Sequence, residues 1–345
     1  MKIVFLGTQG AVPSLDSNLP ATAVKMDDGS LIIFDAGEDV QRQVIAANLK
    51  FNAKTTILIS HMHADHVIGL PGLLFSFYLN NRTKDLTIIG PEGLAGYLYF
   101  HKMFVGLKTK TYPLKIIEIP IGKDWEDRAF SEPGIGNSVY VYEKGIEEPF
   151  EKKRVEISNN TVFEAKKYAI EAYYMQHSVP TFGFKLQEKP RPGRFHPERA
   201  KELGIPQGYL WGKMQRGENI TLEDGTEIEP IKEKVVDPKR RGVKIFYTAD
   251  TTYFKNLEDI TKDSDYLICE TTYAEDHREL AEEKGHMTAK MAGKLARKAG
   301  AKNLLLTHFS LRYDDRSVFQ NEAQEEFDHV ICGEDLLEVQ VERPE

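Results

Sequence analysis

The 345-residue chain has only two cysteines, Cys269 and Cys332, and each stands alone in a short apolar run. Neither a disulfide framework nor a cysteine-based zinc site is expected from them, and both read as buried, reduced thiols. No apolar run approaches the roughly 18 residues that a membrane span needs. Met1 to Gly10 lacks the long apolar core and small-residue cleavage site of a secretion signal, so a cytoplasmic protein without membrane attachment is expected. Excess positive charge is missing too: 45 Lys and Arg against 53 Asp and Glu give −8. That balance argues against a surface coated for nucleic acid, so any contact with RNA must be local.

What is present is a soluble composition, 41% hydrophobic and 28% charged, in a length that suits one layered α/β domain with an accessory element. Apolar runs at Lys2–Leu6, Ala21–Met26, Ser30–Phe34 and Thr56–Ser60 predict strands, with Asp27-Asp28-Gly29 as a hairpin turn. The spacing predicts helices over Glu38–Asn48 and over Thr288–Lys298, the latter with Thr288 as N-cap and Gly300 as stop. A buried strand at Leu304–Leu306 follows, ending at His308. Strands alternating with helices, plus hairpins, imply mixed sheets covered by helices.

Two stretches look inserted. Residues 124–160 are polar, with Pro133-Gly134 and Gly136-Asn137, and read as an excursion containing a hairpin. Residues 185–235 are rich in Pro and Gly, with one short helical candidate near Pro197–Leu203, and read as a protruding arm. From Lys185 to Arg216 eight cations face three acids, +5 in an acidic chain. Arg191, Arg194 and Lys213 are the candidates there for gripping a phosphate backbone; a solvated loop is the plain alternative.

The strongest signal is His61-Met62-His63-Ala64-Asp65-His66, directly after a predicted strand. Imidazole and carboxylate at this spacing suit zinc or a similar divalent ion, with room for two ions on one loop. Further candidates follow strand-like runs at His177, Asp250 and His308. Singly, each would more often be an ordinary turn or core residue; their joint order after the hexapeptide raises them. Gly7 to Pro13 reads equally as a phosphate-cradling turn or a tight β-turn. His101, His196, His277 and His329 fit no ligand pattern and read as structural or surface residues.

His-x-His-x-Asp-His with later His, Asp and His resembles the metallo-β-lactamase superfamily, whose fold is a four-layer αββα sandwich of class α/β. The flanking residues narrow the resemblance to the ribonuclease Z family: Phe5 to Pro13, Phe34-Asp-Ala-Gly-Glu38 with Gln41-Arg-Gln43, Ser60 to Leu73, His286-Met-Thr-Ala289 and Leu305 to Tyr313. The similarity spans nearly the whole chain except 124–160. Ala249 stands where the family usually has Gly, Ala36 where Cys is common, and Tyr209 in Gly208-Tyr-Leu-Trp-Gly-Lys213 where the family's arm has proline.

The resemblance implies a catalytic domain at 1–184 and 236–345 and a substrate-binding arm at 185–235. It implies two Zn2+ per chain, with Mn2+ as a substitute: one ion on His61, His63 and His177, the other on Asp65, His66 and His308, bridged by Asp250. Asp65 would then be the general base; the leaving oxygen also needs an acid, for which His286 is the candidate because imidazole titrates near neutral pH, with Glu270 as its candidate partner. Precursor tRNA is the implied substrate and a homodimer the implied assembly. Two rivals stand beside this reading: a small-molecule phosphodiesterase or arylsulfatase of the same fold, and an RNA-binding scaffold without activity.

Overall fold

The computed structural model describes residues 1–344. The chain divides into two compact units. The larger comprises Met1–Ala165, Ala169–Leu186 and Lys244–Val341; the smaller comprises Lys166–Tyr168, Gln187–Val243 and the residues from Glu342 on. The stretch 185–235 expected as an arm falls in the smaller unit from Gln187 onward, and that unit continues eight residues further, to Val243.

Two large sheets carry the architecture. The first has nine strands, in the order Glu338–Gln340, Lys2–Gly7, Ala21–Lys25, Leu31–Phe34, Thr55–Leu58, Leu86–Pro91, Leu114–Ile119, Ser138–Tyr142 and Lys153–Glu156. Its middle is parallel from Leu31 to Ile119, with Phe34 paired to Leu58 and Leu58 to Ile89. The second has seven, in the order Val330–Cys332, Asn303–Thr307, Tyr266–Glu270, Lys244–Tyr247, Thr181–Glu188, Tyr168–Met175 and Thr161–Glu164. Its strands from Lys244 to Cys332 are parallel.

Side chains on alternate residues of a strand face opposite sides, and here both sides are apolar. Val4, Leu6, Leu31, Ile33, Ile57 and Ile59 pack with Val40, Val44, Leu70, Leu73, Leu74 and Phe77 from the helices covering the first sheet. The intervening residues, Ile3, Phe5, Ile32, Phe34 and Leu58, are equally buried on the other face, where Phe34 stacks on Tyr247 of the second sheet at 5.0 Å between ring centroids. The second sheet is covered by the helix Ala289–Ala299, whose buried face runs Met291, Ala292, Leu295, Ala296 and Ala299. Thr288 caps it by accepting a hydrogen bond from the Met291 amide, and Gly300, with φ 65°, ends it. Helix, sheet, sheet, helix is the αββα sandwich.

The excursion at 124–160 adds the strands Ser138–Tyr142 and Lys153–Glu156, an antiparallel pair that extends the first sheet. Cys269 is buried and Cys332 half-buried, rather than both buried; both are unpaired thiols.

The smaller unit has a core of its own: Ala200, Ile205, Met214, Ile220, Ile228, Val235 and Val236, with Phe195 and Trp211 packed against it. Sequence reading expected one helix here, but there are two, Pro197–Glu202 and Tyr209–Gln215. The Gly208–Lys213 segment, where Tyr209 stands in place of the family's proline, opens the second of these, because Leu210 and Trp211 pack on that core and no proline interrupts it. The hairpin lies later, Ile220–Thr221 against Glu227–Ile228, turned by Asp224-Gly225.

Candidate metal centre

Parallel strands end side by side, so residues just past their C-terminal ends gather at one edge of each sheet. In the first sheet this brings Asp35, after Leu31–Phe34, beside the loop 59–66, after Thr55–Leu58. In the second it aligns Asp250, Glu270 and His308, which follow or end the three neighbouring strands; Glu270 pairs in register with Thr307. His177 comes from the turn between Tyr168–Met175 and Thr181–Glu188.

All seven residues singled out as candidate ligands converge. His61, His63 and His177 form one group whose donor atoms lie within 4.8 Å of one another, and Asp65, His66 and His308 form a second. Asp250 Oδ2 stands between them, 3.9 Å from His61 Nε2 and His177 Nε2, 3.4 Å from His66 Nε2 and 3.3 Å from His308 Nε2.

Hydrogen bonding on the far side of each ring fixes where its proton sits. His66 Nδ1 is 2.8 Å from Asp35 Oδ2 and His177 Nδ1 is 2.9 Å from the Gly285 carbonyl; both partners only accept, so both Nδ1 atoms carry hydrogen. Ser60 donates its hydroxyl to Asp35 and therefore accepts from His61 Nδ1 at 2.9 Å. Thr272 donates to Glu270 and accepts from His308 Nδ1 at 2.8 Å. Four histidines are thus left with bare Nε2 lone pairs aimed inward. Nε2 of His66 lies 3.2 Å from Nε2 of His308, and Nδ1 of His63 lies 3.0 Å from His61 Nε2 and 3.3 Å from His177 Nε2.

Lone pairs that close, in a buried site, repel unless a cation lies among them. Asp250 Oδ1, buried without a hydrogen-bond partner among the described residues, makes the same demand. The donor set therefore fits divalent ions that take imidazole and carboxylate.

Charge states of the first group and of the two carboxylates agree with this geometry. Burial lowers the pKa of His61, His63 and His177, favouring neutral rings. Burial opposes ionisation of Asp65 and Asp250 as well, but nearby His308 and His66 outweigh it and hold both carboxyls well below the usual carboxylate range. His66 moves the opposite way, raised against its burial by Asp250 and Asp35.

His286 sits beside this cluster, its ring centroid 5.0 Å from that of His177 and 5.5 Å from that of His308. Its Nδ1 is 3.0 Å from Glu270 Oε1, so the candidate partner from sequence is in contact. Glu270 is itself fixed by the amides of Thr251, Met287 and Thr272 and by the Thr272 hydroxyl. Burial works against protonation of His286, but Glu270 and then Asp250 raise it to about 9.

Sequence reasoning missed the residues behind the rings. Asp35 accepts four hydrogen bonds, from the Ser60 amide and hydroxyl, His66 Nδ1 and Tyr247 Oη. The available signal was a carboxylate ending an all-apolar strand next to the strand that carries the histidines. Thr272 and Ser60 gave no signal, since hydroxyls after strands are common.

The Gly7–Pro13 loop is not a phosphate cradle. The amides of Gln9, Gly10 and Val12 are hydrogen-bonded to backbone carbonyls, and Ala11 donates to Asp65 Oδ2 at 2.8 Å. Gly10 is required there because a β-carbon would lie 2.6 Å from the His308 ring. Arg191, Arg194 and Lys213 lie in the smaller unit. His101, His196, His277 and His329 belong to none of the metal-ligating groups found among the described residues.

Comparison with known proteins agrees with this architecture. Residues 1–119 match the family model described as the anti-Pycsar protein Apyc1, and residues 234–309 match the beta-lactamase superfamily domain. Ribonuclease Z of Nitrosopumilus maritimus is 35% identical over 99% of this chain and all of its own length. Ribonuclease Z of Bacillus subtilis is 33% identical with the same coverage. The crystal structure of the short form of human tRNase Z superimposes with a TM-score of 0.66 at 23% identity, covering 99% of this chain and all of that one, a likeness of fold. Full-length identity above 30% to proteins of one name, on the αββα sandwich and with this His and Asp cluster, makes the chain a member of the ribonuclease Z family of the metallo-β-lactamase superfamily.

Proposed function

We propose that this hydrolase cleaves the phosphodiester bond 3′ of the tRNA body in precursor tRNA, leaving a tRNA 3′-hydroxyl and a 5′-phosphorylated trailer. We assign two Zn2+ to the centre, with Mn2+ able to replace them: His61, His63 and His177 hold one, Asp65, His66 and His308 the other, and Asp250 both. The observation that carries this is the set of four tethered imidazoles with inward lone pairs around the unpaired carboxylate oxygen of Asp250. Two such ions, when bound, supply a nucleophile at neutral pH and neutralise the phosphate.

The chain's own groups do the rest. Asp65, held ionised and oriented by the Ala11 amide, accepts the proton of the attacking water. As the new P–O bond forms, the bond from phosphorus to the 3′ oxygen breaks, and that oxygen needs a proton. His286 has Nδ1 committed to Glu270, so Nε2 is the atom left to deliver it. The segment 185–235 serves as the substrate-binding arm of the catalytic domain formed by 1–184 and 236–345, with Arg191, Arg194 and Lys213 as candidate contacts. A cytoplasmic homodimer belongs to the same proposal; no helix among the described residues is long and apolar enough to cross a membrane.

The test is purified protein with end-labelled precursor tRNA, its products sized at single-nucleotide resolution, beside a small aryl phosphodiester. Cleavage at the 3′ end of the tRNA body is expected. Hydrolysis of the aryl ester with the precursor left intact would favour the small-molecule reading instead.

A further inference from the structure

The strand Tyr266–Glu270 continues past its end as Thr271-Thr272-Tyr273, and the backbone of this short segment is bound on both sides. On one side the Thr271 amide donates to the Thr307 carbonyl at 2.8 Å, and the Ser310 amide to the Thr272 carbonyl at 3.2 Å. On the other, the Tyr273 amide donates to the Met287 carbonyl at 3.3 Å, and the Ala289 amide to the Tyr273 carbonyl at 3.0 Å. The first of these neighbouring segments carries His308 and the second carries His286. Thr272 is thus laced between a candidate metal ligand and the candidate acid.

Its hydroxyl is used to capacity. A threonine hydroxyl has one hydrogen and two lone pairs. Here the hydrogen goes to Glu270 Oε2 at 2.8 Å, while the lone pairs face His308 Nδ1 at 2.8 Å and His286 Nδ1 at 3.1 Å. Because the only hydrogen on Oγ1 is spent on a carboxylate, both rings carry hydrogen at Nδ1 and keep Nε2 bare. The His286 Nδ1 hydrogen is shared, since Glu270 Oε1 lies at 3.0 Å.

Neighbouring threonines do more ordinary work. Thr248, Thr251 and Thr271 donate their hydroxyls to the backbone carbonyls of Ala249, Thr252 and Thr307. The counterpart of Thr272 lies on the first sheet, where Ser60 donates to Asp35 and accepts from His61, and Asp35 also takes His66 Nδ1. That fork joins two ligand rings. The fork at Thr272 joins a ligand ring to a ring outside the ligand set.

We infer that Thr272 is a positioning residue of the hydrolytic reaction, whose one hydroxyl fixes the tautomer and orientation of His308 and His286 together and so holds the acid in register with the metal centre. This rests on the role given to His286 above and names the support that role shares with metal binding. Losing the hydroxyl therefore weakens both functions at once, whereas losing the Ser60 hydroxyl weakens metal binding alone.

The experiment compares full-length Thr272→Val, which keeps the side chain's shape without its hydroxyl, with Thr272→Ser, which keeps the hydroxyl; melts establish that each is folded. Zinc affinity, measured by competition with a chromophoric chelator, should fall roughly 10- to 100-fold in Thr272→Val and stay within about threefold of the parent in Thr272→Ser. In zinc-loaded protein carrying isotope-labelled histidine, the slowly exchanging Nδ1 proton signals of both His308 and His286 should be shifted or lost in Thr272→Val and retained in Thr272→Ser. At saturating zinc, the ratio of turnover on precursor tRNA to turnover on an aryl phosphodiester should fall about tenfold or more in Thr272→Val, because the aryl leaving group needs little protonation. Ser60→Ala should lose zinc affinity yet keep that ratio within about threefold of the parent.

A folded Thr272→Val with the parent's zinc affinity and both ring proton signals overturns the inference. So does one that loses affinity but keeps the His286 signal and the turnover ratio, which would confine Thr272 to the ligand, and so does a Thr272→Ser variant as impaired as Thr272→Val, which would make the effect one of packing. Should the parent hydrolyse the aryl ester and leave precursor tRNA intact, the proposed activity falls, while the affinity and ring proton readouts, which need no substrate, still decide the role of Thr272.

Discussion

Asp35→Asn tests whether the residues behind the histidines, and not the ligands alone, set metal binding. Asp35 is buried, and its two oxygens take four donors: the Ser60 amide at 2.7 Å on Oδ1, and Ser60 Oγ at 2.9 Å, His66 Nδ1 at 2.8 Å and Tyr247 Oη at 2.7 Å on Oδ2. Asparagine has one accepting oxygen and one NH2. With the NH2 toward Ser60 N, two donors meet head-on. With it toward His66, the ring must accept at Nδ1, which moves its proton to Nε2, now aimed at His308 Nε2 and Asp250. Either way the site loses a buried hydrogen bond, at about 1–3 kcal/mol, or a ligand nitrogen. The expected loss of zinc affinity is roughly 10- to 100-fold, the usual effect of removing the partner of a ligating histidine, or about 1.4–2.7 kcal/mol. Tyr247→Phe is the graded control: it removes one donor and leaves the carboxylate three, so affinity should change by no more than about threefold. The assay is competition against a chromophoric chelator, with elemental analysis after gel filtration and a melt to show that each variant is folded. Parent-like zinc affinity in folded Asp35→Asn, or an equal loss in Tyr247→Phe, would refute the reasoning.

His286→Ala should lower turnover on precursor tRNA by roughly 10²- to 10⁴-fold with zinc content unchanged, and by less on an aryl ester whose leaving group needs little protonation; steady-state kinetics beside elemental analysis decide it, and near-normal turnover would remove His286 from the mechanism. Ala249 is fully buried with φ 55°, a left-handed conformation that favours glycine, so Ala249→Gly should raise stability by up to about 1 kcal/mol in chemical unfolding; destabilisation would mean that its methyl packing outweighs the strain. Arg82 is wholly buried, gives hydrogen bonds to the carbonyls of Phe51, Lys84 and Asp85, and lies 4.5 Å from the Phe77 ring centroid. Arg82→Leu should cost roughly 3–5 kcal/mol by removing the three hydrogen bonds that this buried guanidinium gives, while a loss below about 1 kcal/mol would show that water or other donors replace them.

Much of this protein was legible in its sequence because the signals are local. Two apolar residues per strand period marked the strands, and Thr288 and Gly300 bounded a helix that forms as expected. The hexapeptide His61–His66 needs no partner from elsewhere to declare metal chemistry, and His177, Asp250 and His308 could be ordered behind it because each follows a strand. The tertiary structure decided what depends on residues distant in the chain. Asp35 becomes a partner of His66 and Tyr247 only because parallel register sets Phe34 beside Leu58 and the two sheets face each other. Which imidazole nitrogen keeps its proton follows from hydroxyls and carbonyls that carry no sequence signature. Charge was misleading for the same reason. Along the chain Lys185 to Arg216 is basic on balance, but folding pairs Arg199, Lys201 and Arg216 with acids nearby and sets Arg240 across from Arg191, some fifty residues away. Linear spacing specifies which groups a segment offers; only the fold specifies which of them are already neutralised by a neighbour.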